Sequence, residues 1–113
     1  MKFIDQLDNI SYATKKQIQE EYWHIEGIVR NRTNQKFKFD LSPIVKFQKD
    51  DYGKIGHFNS KADKIVFDFK NNWILIDTEE LVNYIKEKQI RDLNLDHLLK
   101  EFSWNIVLQK QKK

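Results

Sequence analysis

The stretch Tyr22 to Leu41, YWHIEGIVRNRTNQKFKFDL, decides the fold. In its first half Trp23, Ile25, Gly27 and Val29 fall on one side of an extended chain, and His24, Glu26, Ile28 and Arg30 on the other, which is the period of a strand. Asn31-Arg32-Thr33-Asn34 supplies turn formers, after which Phe37, Phe39 and Leu41 alternate with Lys36, Lys38 and Asp40. The pattern predicts a β-hairpin with one apolar face, and that face needs a partner.

Working upstream, Phe3, Ile4, Leu7 and Ile10 fall at i, i+1, i+4 and i+7, so Lys2 to Asn9 reads as a short amphipathic helix. Ser11 and Thr14 offer caps for a second helix through Gln17 and Glu20, with Ile18 and Tyr22 one turn apart. Downstream, Pro43 marks a strand end or edge, and Ile44, Val45 and Phe47 resume a short strand. Gln48 to Asp63 is polar, contains Gly53 and Gly56, and reads mostly as a long loop. Two strands, Lys64 to Lys70 and Trp73 to Ile76, follow across Asn71-Asn72, because Asn tolerates the positive φ of a tight hairpin.

Asp77 with Glu80 three residues later resembles a capping box, and Leu81, Val82 and Ile85 give a helical stripe to about Lys88. A second short helix is expected with Asn94 or Asp96 as cap and Leu95, Leu98, Leu99 and Phe102 on one face, before a last strand in which Trp104, Ile106 and Leu108 alternate. The expected fold is thus a single α+β domain over residues 1–113, an antiparallel sheet of roughly four to six strands with flanking helices.

Composition agrees. Of 113 residues 40% are hydrophobic, with 8 Phe, 4 Tyr and 3 Trp but only 3 Gly and 1 Pro, which suits one packed core rather than disorder or a linker. With no cysteine there is no disulfide, no thiolate catalysis and no thiolate metal ligand, so a reducing, cytoplasmic setting is expected. The N-terminal residues lack the apolar run of a signal peptide, and no stretch reaches the roughly 18 apolar residues of a membrane span. The net charge of +3, from 20 basic and 17 acidic residues, permits nucleic-acid contact without demanding it. The basic end 110–113 reads as a frayed, solubilising tail.

Candidate chemistry is sparse. His24, His57 and His97 are expected on a strand, a loop and a helix, and none has a carboxylate at metal-site spacing. A divalent-metal nuclease needs two acids to hold the ion and a lysine to stabilise charge on phosphate, and Asp40, Asp68 and Lys70 form the set that could supply them, with Mg2+ on Asp40 and Asp68 and Glu26 nearby. The same residues also suit the solvated faces of strands. For a partner surface, the long loop offers Tyr52, His57 and Phe58 among Lys49, Lys54 and Lys61, and the hairpin tip offers Arg30 and Arg32; exposed aromatic and arginine side chains dominate interface energetics.

Ser60-Lys61-Ala62-Asp63-Lys64-Ile65-Val66-Phe67, then Trp73-Ile74-Leu75-Ile76-Asp77, then Glu80-Leu81-Val82-Asn83-Tyr84-Ile85, resembles the second half of small phage and restriction-type nucleases of the PD-(D/E)XK class. The resemblance covers residues 60–85, about a quarter of the chain. It implies a Lys-Ala-Asp strand, a second strand and a helix behind the catalytic strands. It would place the family's Glu-x-Lys near Glu26-Gly27-Ile28, where isoleucine stands in place of lysine. The expected function is a non-catalytic protein-binding chain of the inhibitor or immunity type, encoded by a phage or mobile element. Its partner would be another protein, such as a nuclease or nucleoprotein complex, with no cofactor and no membrane. The alternatives are a Mg2+-dependent nuclease and a non-catalytic nucleic-acid binder.

Overall fold

The hairpin is the seed of a larger sheet. In the computed structural model, which describes residues 2–41, 45–49, 52–55, 60–88, 92–94 and 100–110, a 3-10 helix (Phe3–Gln6) leads into β1 (Leu7–Tyr12), α1 (Lys15–Glu21), β2 (Ile25–Val29) and β3 (Phe37–Asp40). There follow β4 (Val45–Lys49), β5 (Tyr52–Ile55), β6 (Lys64–Asp68), β7 (Asn72–Asp77), α2 (Thr78–Lys88), β8 (Asp92–Asn94) and β9 (Asn105–Gln109). Six strands form one sheet in the order β1-β2-β3-β6-β7-β9, and β4-β5-β8 form a smaller one. The class is α+β.

The main sheet is mixed, not wholly antiparallel as expected: β3 and β6 run parallel, with Phe39 opposite Lys64 and Asp40 opposite Ile65. A parallel neighbour requires a long crossover, and the chain between Asp40 and Lys64 provides it while carrying β4 and β5. The expected loop over Gln48 to Asp63 is corrected in the same place. Tyr52–Ile55 is a strand, made by antiparallel pairing with β4 on one side and β8 on the other. Asn94 pairs with Tyr52 in that sheet; 95–99, the body of the helix expected to follow it, lie outside the described residues, as do Pro43 and Ile44.

The helix expected over Lys2 to Asn9 is also corrected. Phe3–Gln6 makes a single 3-10 turn, closed by the Lys2 amide donating to the Asp5 carboxylate at 2.9 Å, and Leu7 then leaves the helical stripe to pair with Val29. Between Asp8 and Ser11 the register shifts, and Asn9 takes a φ of 54°, a left-handed conformation that a short polar side chain tolerates. Gly27 lies against this bulge. A Cβ there would stand 3.2 Å from the Asp8 carbonyl and 3.2 Å from Leu7 Cβ, so the mid-strand glycine serves close backbone approach.

The two helices start as their sequences imply. Thr14 Oγ1 accepts the Gln17 amide at 3.1 Å while Gln17 Oε1 accepts the Thr14 amide at 2.9 Å, a reciprocal capping box for α1. At α2, Asp77 Oδ2 accepts the Glu80 amide at 3.0 Å. The Glu80 carboxylate instead accepts the Ser103 amide at 2.5 Å and the Trp104 amide at 3.3 Å, tying the start of α2 to the entry of β9.

Alternation then sorts the apolar residues onto two faces of the sheet. Phe3, Leu7, Ile25, Val29, Phe39, Trp73 and Leu75 are among those packing on one face; on the other, Ile65, Phe67, Ile74 and Ile76 take Leu81 and Ile85 of α2 together with Phe102. The first face is concave. Phe37 meets Trp104 edge-on at 5.8 Å, and Arg32 at the β2–β3 tip donates to the Val107 carbonyl of β9 at 3.1 Å, so the β2–β3 hairpin and the last strand of the order close toward each other. On the second face Tyr84 packs edge-on against Phe102 at 5.0 Å; burial, and secondarily the charge of Glu101, raise its phenol above the ordinary value of 10.0.

Candidate functional site

The concave core is not sealed at one end. Where β1 and β3 finish, an open cleft of about 510 Å³ remains, with Trp73, Val66 and Ile25 among its lining and Phe3 and Ile4 of the 3-10 turn beside them. Its existence follows from the fold. The 3-10 turn gives Phe3 to the core, where the ring meets Phe39 at 5.3 Å and Trp73 at 6.0 Å, but one turn is too short to cover the sheet end.

Two large apolar residues at this cleft stay in solvent: Tyr12, the last residue of β1, is 70% exposed, and Leu41, just past β3, is 41% exposed. Besides the Tyr12 phenol, the polar side chains among the described residues lining it are Lys2, His24 and Asp68. His24 Nδ1 accepts the Leu41 amide at 3.0 Å, which holds Leu41 at the rim. The Asp68 carboxylate is bound by the Lys110 ammonium, which also donates to the Phe69 carbonyl at 2.5 Å and stands 5.0 Å from the centre of the Trp73 ring. Of the basic end 110–113, Lys110 is therefore anchored, and 111–113 lie outside the described residues.

The residues of the nuclease alternative are not gathered around one point. Asp40 lies opposite Ile65, and three further residues along β6 bring Asp68 onto the other face of the sheet. Asp40 is 2% exposed, with Oδ1 3.6 Å from His24 Nδ1, whereas Asp68 is engaged with Lys110. Lys70 is exposed at the turn between β6 and β7. Placed on opposite faces, Asp40 and Asp68 do not fit a shared Mg2+. Among the described residues no group of three or more His, Asp or Glu side chains is placed to hold a metal ion.

The expected partner surface is divided. Arg30 donates through Nε and Nη2 to Asp8 Oδ1 at 3.1 and 3.0 Å, and Arg32 donates to Val107; both arginines border an open polar notch of about 590 Å³ at the hairpin tip. Lys61 is exposed, its amide donating to the Glu21 carbonyl at 2.7 Å. Lys49, Tyr52 and Lys54 have their backbone in β4 and β5, while His57 and Phe58 lie outside the described residues. Sequence reasoning missed Tyr12, Leu41 and Lys2. Leu41 continues the alternation of Phe37 and Phe39 and so reads as core; its position past the last paired residue of β3 exposes it.

Fold and site together define a small α+β chain whose mixed sheet curls around an apolar core that is open at one end. In comparison with known proteins, no family model, no curated protein and no solved structure matches this chain. No helix among the described residues is long and apolar enough to cross a membrane.

Proposed function

We propose that this chain is a non-catalytic binding protein of the inhibitor or immunity type, which grips another protein by receiving an apolar side chain into the cleft at the open end of its sheet. The observation that carries the reading is the exposure of Tyr12 and Leu41 beside a concave apolar lining that includes Trp73. Full burial of a large apolar side chain is worth roughly 1.5–3 kcal/mol, and the exposed parts of Tyr12 and Leu41 leave a share of that for a bound partner to recover. An apolar pocket with a few convergent polar groups is also the ordinary form of a binding site. Arg30 and Arg32, used within the fold, support the binding surface less than the cleft does.

Crosslinking tests this directly. With p-benzoylphenylalanine in place of Tyr12, irradiation in extract of the native host is expected to give a discrete adduct with one protein, identifiable by mass spectrometry and lost in the Leu41→Glu background. The same photoreactive residue in place of Lys88, at the end of α2, should give none. If instead purified protein cleaves labelled DNA or RNA only with Mg2+, and Asp40→Asn abolishes cleavage, the binding reading gives way to phosphodiester hydrolysis. Nucleic-acid affinity falling steeply with salt would support the nucleic-acid binder, because phosphate contacts release counterions.

A further inference from the structure

We infer that the side chain taken by this cleft is aromatic or long aliphatic and has a carboxylate next to it in the partner protein; the inference rests on the binding reading above. Asp68, the one acid among the described residues that line the cleft, is already compensated by the Lys110 ammonium. His24 is engaged within the fold, Nδ1 accepting the Leu41 amide. Lys2 remains. Its backbone amide is held by Asp5, and its ammonium has no partner among the described residues. Among the described residues the cleft therefore presents an apolar lining with one lysine, Lys2, that forms no ion pair.

Complementary charge at an interface steers encounter and fixes orientation more than it adds affinity. A partner residue that fills the apolar space is best placed when an acid beside it meets Lys2. A nucleotide also joins an aromatic ring to an anion, yet the geometry favours protein. The aliphatic groups of Ile4, Val66 and Leu41 share the lining with the aromatic ones. Nucleic-acid affinity moreover requires several phosphate-neutralising cations along the surface, and among the described residues Lys2 is the one lysine that lines the cleft. The volume of about 510 Å³ accepts one large side chain with its flanking backbone, since pockets of roughly 300–1,000 Å³ hold drug-sized molecules.

Titration of the 15N-labelled protein with short capped peptides, following the indole N–H of Trp73, tests the inference. Ac-Gly-Asp-Phe-Gly-NH2 is expected to shift that resonance with a Kd about threefold lower than Ac-Gly-Lys-Phe-Gly-NH2, the scale of one exposed ion pair. Lys2→Gln, at an exposed position that leaves the core untouched, should level the two peptides, as should about 1 M salt, where the screening length is roughly 3 Å. Equal response to both peptides in the unaltered protein would overturn the charge inference and leave the cleft as a receptor of apolar side chains. No response to either at about 10 mM, a level that reveals a Kd near 1 mM, would overturn the cleft reading as well. A response to oligothymidine alone would overturn both in favour of single-stranded nucleic acid.

Discussion

Lys64 is 6% exposed, yet its ammonium stands 2.7 Å from Asp77 Oδ1, 3.8 Å from the centre of the Trp104 ring and 4.7 Å from that of Phe37. Burying an unpaired ammonium costs several kcal/mol, and an ion pair with two aromatic faces offsets that cost without necessarily exceeding it. The consequence is asymmetric. Asp77→Asn keeps a side chain able to cap α2 but strands the lysine charge, so it is expected to destabilise the fold by about 2–4 kcal/mol. Lys64→Met removes charge and desolvation cost together and is expected to cost less than about 1 kcal/mol. Urea unfolding of the two variants checks the order; equal losses would show that the pair itself, not the stranded charge, carries the stability. The same residue shows why composition alone misleads: a lysine at a strand start reads as solvent-facing, and only the approach of Phe37 and Trp104 from distant parts of the chain makes its site dry.

At the scale of elements, legibility tracks how local the deciding interaction is. β2 and β3 were readable because alternation and turn formers lie within one stretch of chain, and α2 because Asp77 caps it from the adjacent position. β1 was not, since Phe3, Ile4 and Leu7 fit a helical stripe and only the pairing of Leu7 with Val29 converts the segment to a strand. The parallel junction of β3 with β6 and the strand β5 are likewise set by partners far away in sequence. The cleft is least legible of all, because the end of β1, the start of β2, the end of β3, the 3-10 turn, β6 and β7 each contribute only a residue or two. The bulge in β1 gives this account a test. Gly→Ala in a strand normally gains up to about 1 kcal/mol from backbone entropy, but at Gly27 the new methyl would press on the Asp8 carbonyl and Leu7 Cβ at 3.2 Å, and overpacking costs about 1–3 kcal/mol. Gly27→Ala is therefore expected to lose about 1 kcal/mol net in chemical denaturation; a gain would mean that β1 moves away from β2 at little cost, and that the bulge is not held there by close approach.

For the molecule as a whole, the concave core makes the main sheet one unit, because its buried residues come from β1, β2, β3, β6, β7 and β9 alike. Phe3 tests that unity from the rim. Its ring is buried, touches Phe39 and Trp73, and lines the cleft, so one substitution reaches both stability and the proposed site. Phe→Ala in a core costs about 3–5 kcal/mol; here the open cleft lets water enter the vacated space, which favours the lower end. Phe3→Ala should lower Tm by roughly 10–15 °C, given about 4–5 °C per kcal/mol for a domain of this size, while the transition stays single and its calorimetric and van't Hoff enthalpies agree. Two resolved transitions would mean that β1–β3 and β6–β9 unfold separately and that the contacts across the curl contribute little. At temperatures where the variant is still folded, its widened cleft should also bind an aromatic peptide with altered affinity, whereas a side chain buried equally well on the α2 face, such as Ile85, should change Tm when truncated and leave that affinity alone. The contrast between the two truncations separates loss of the site from loss of the fold.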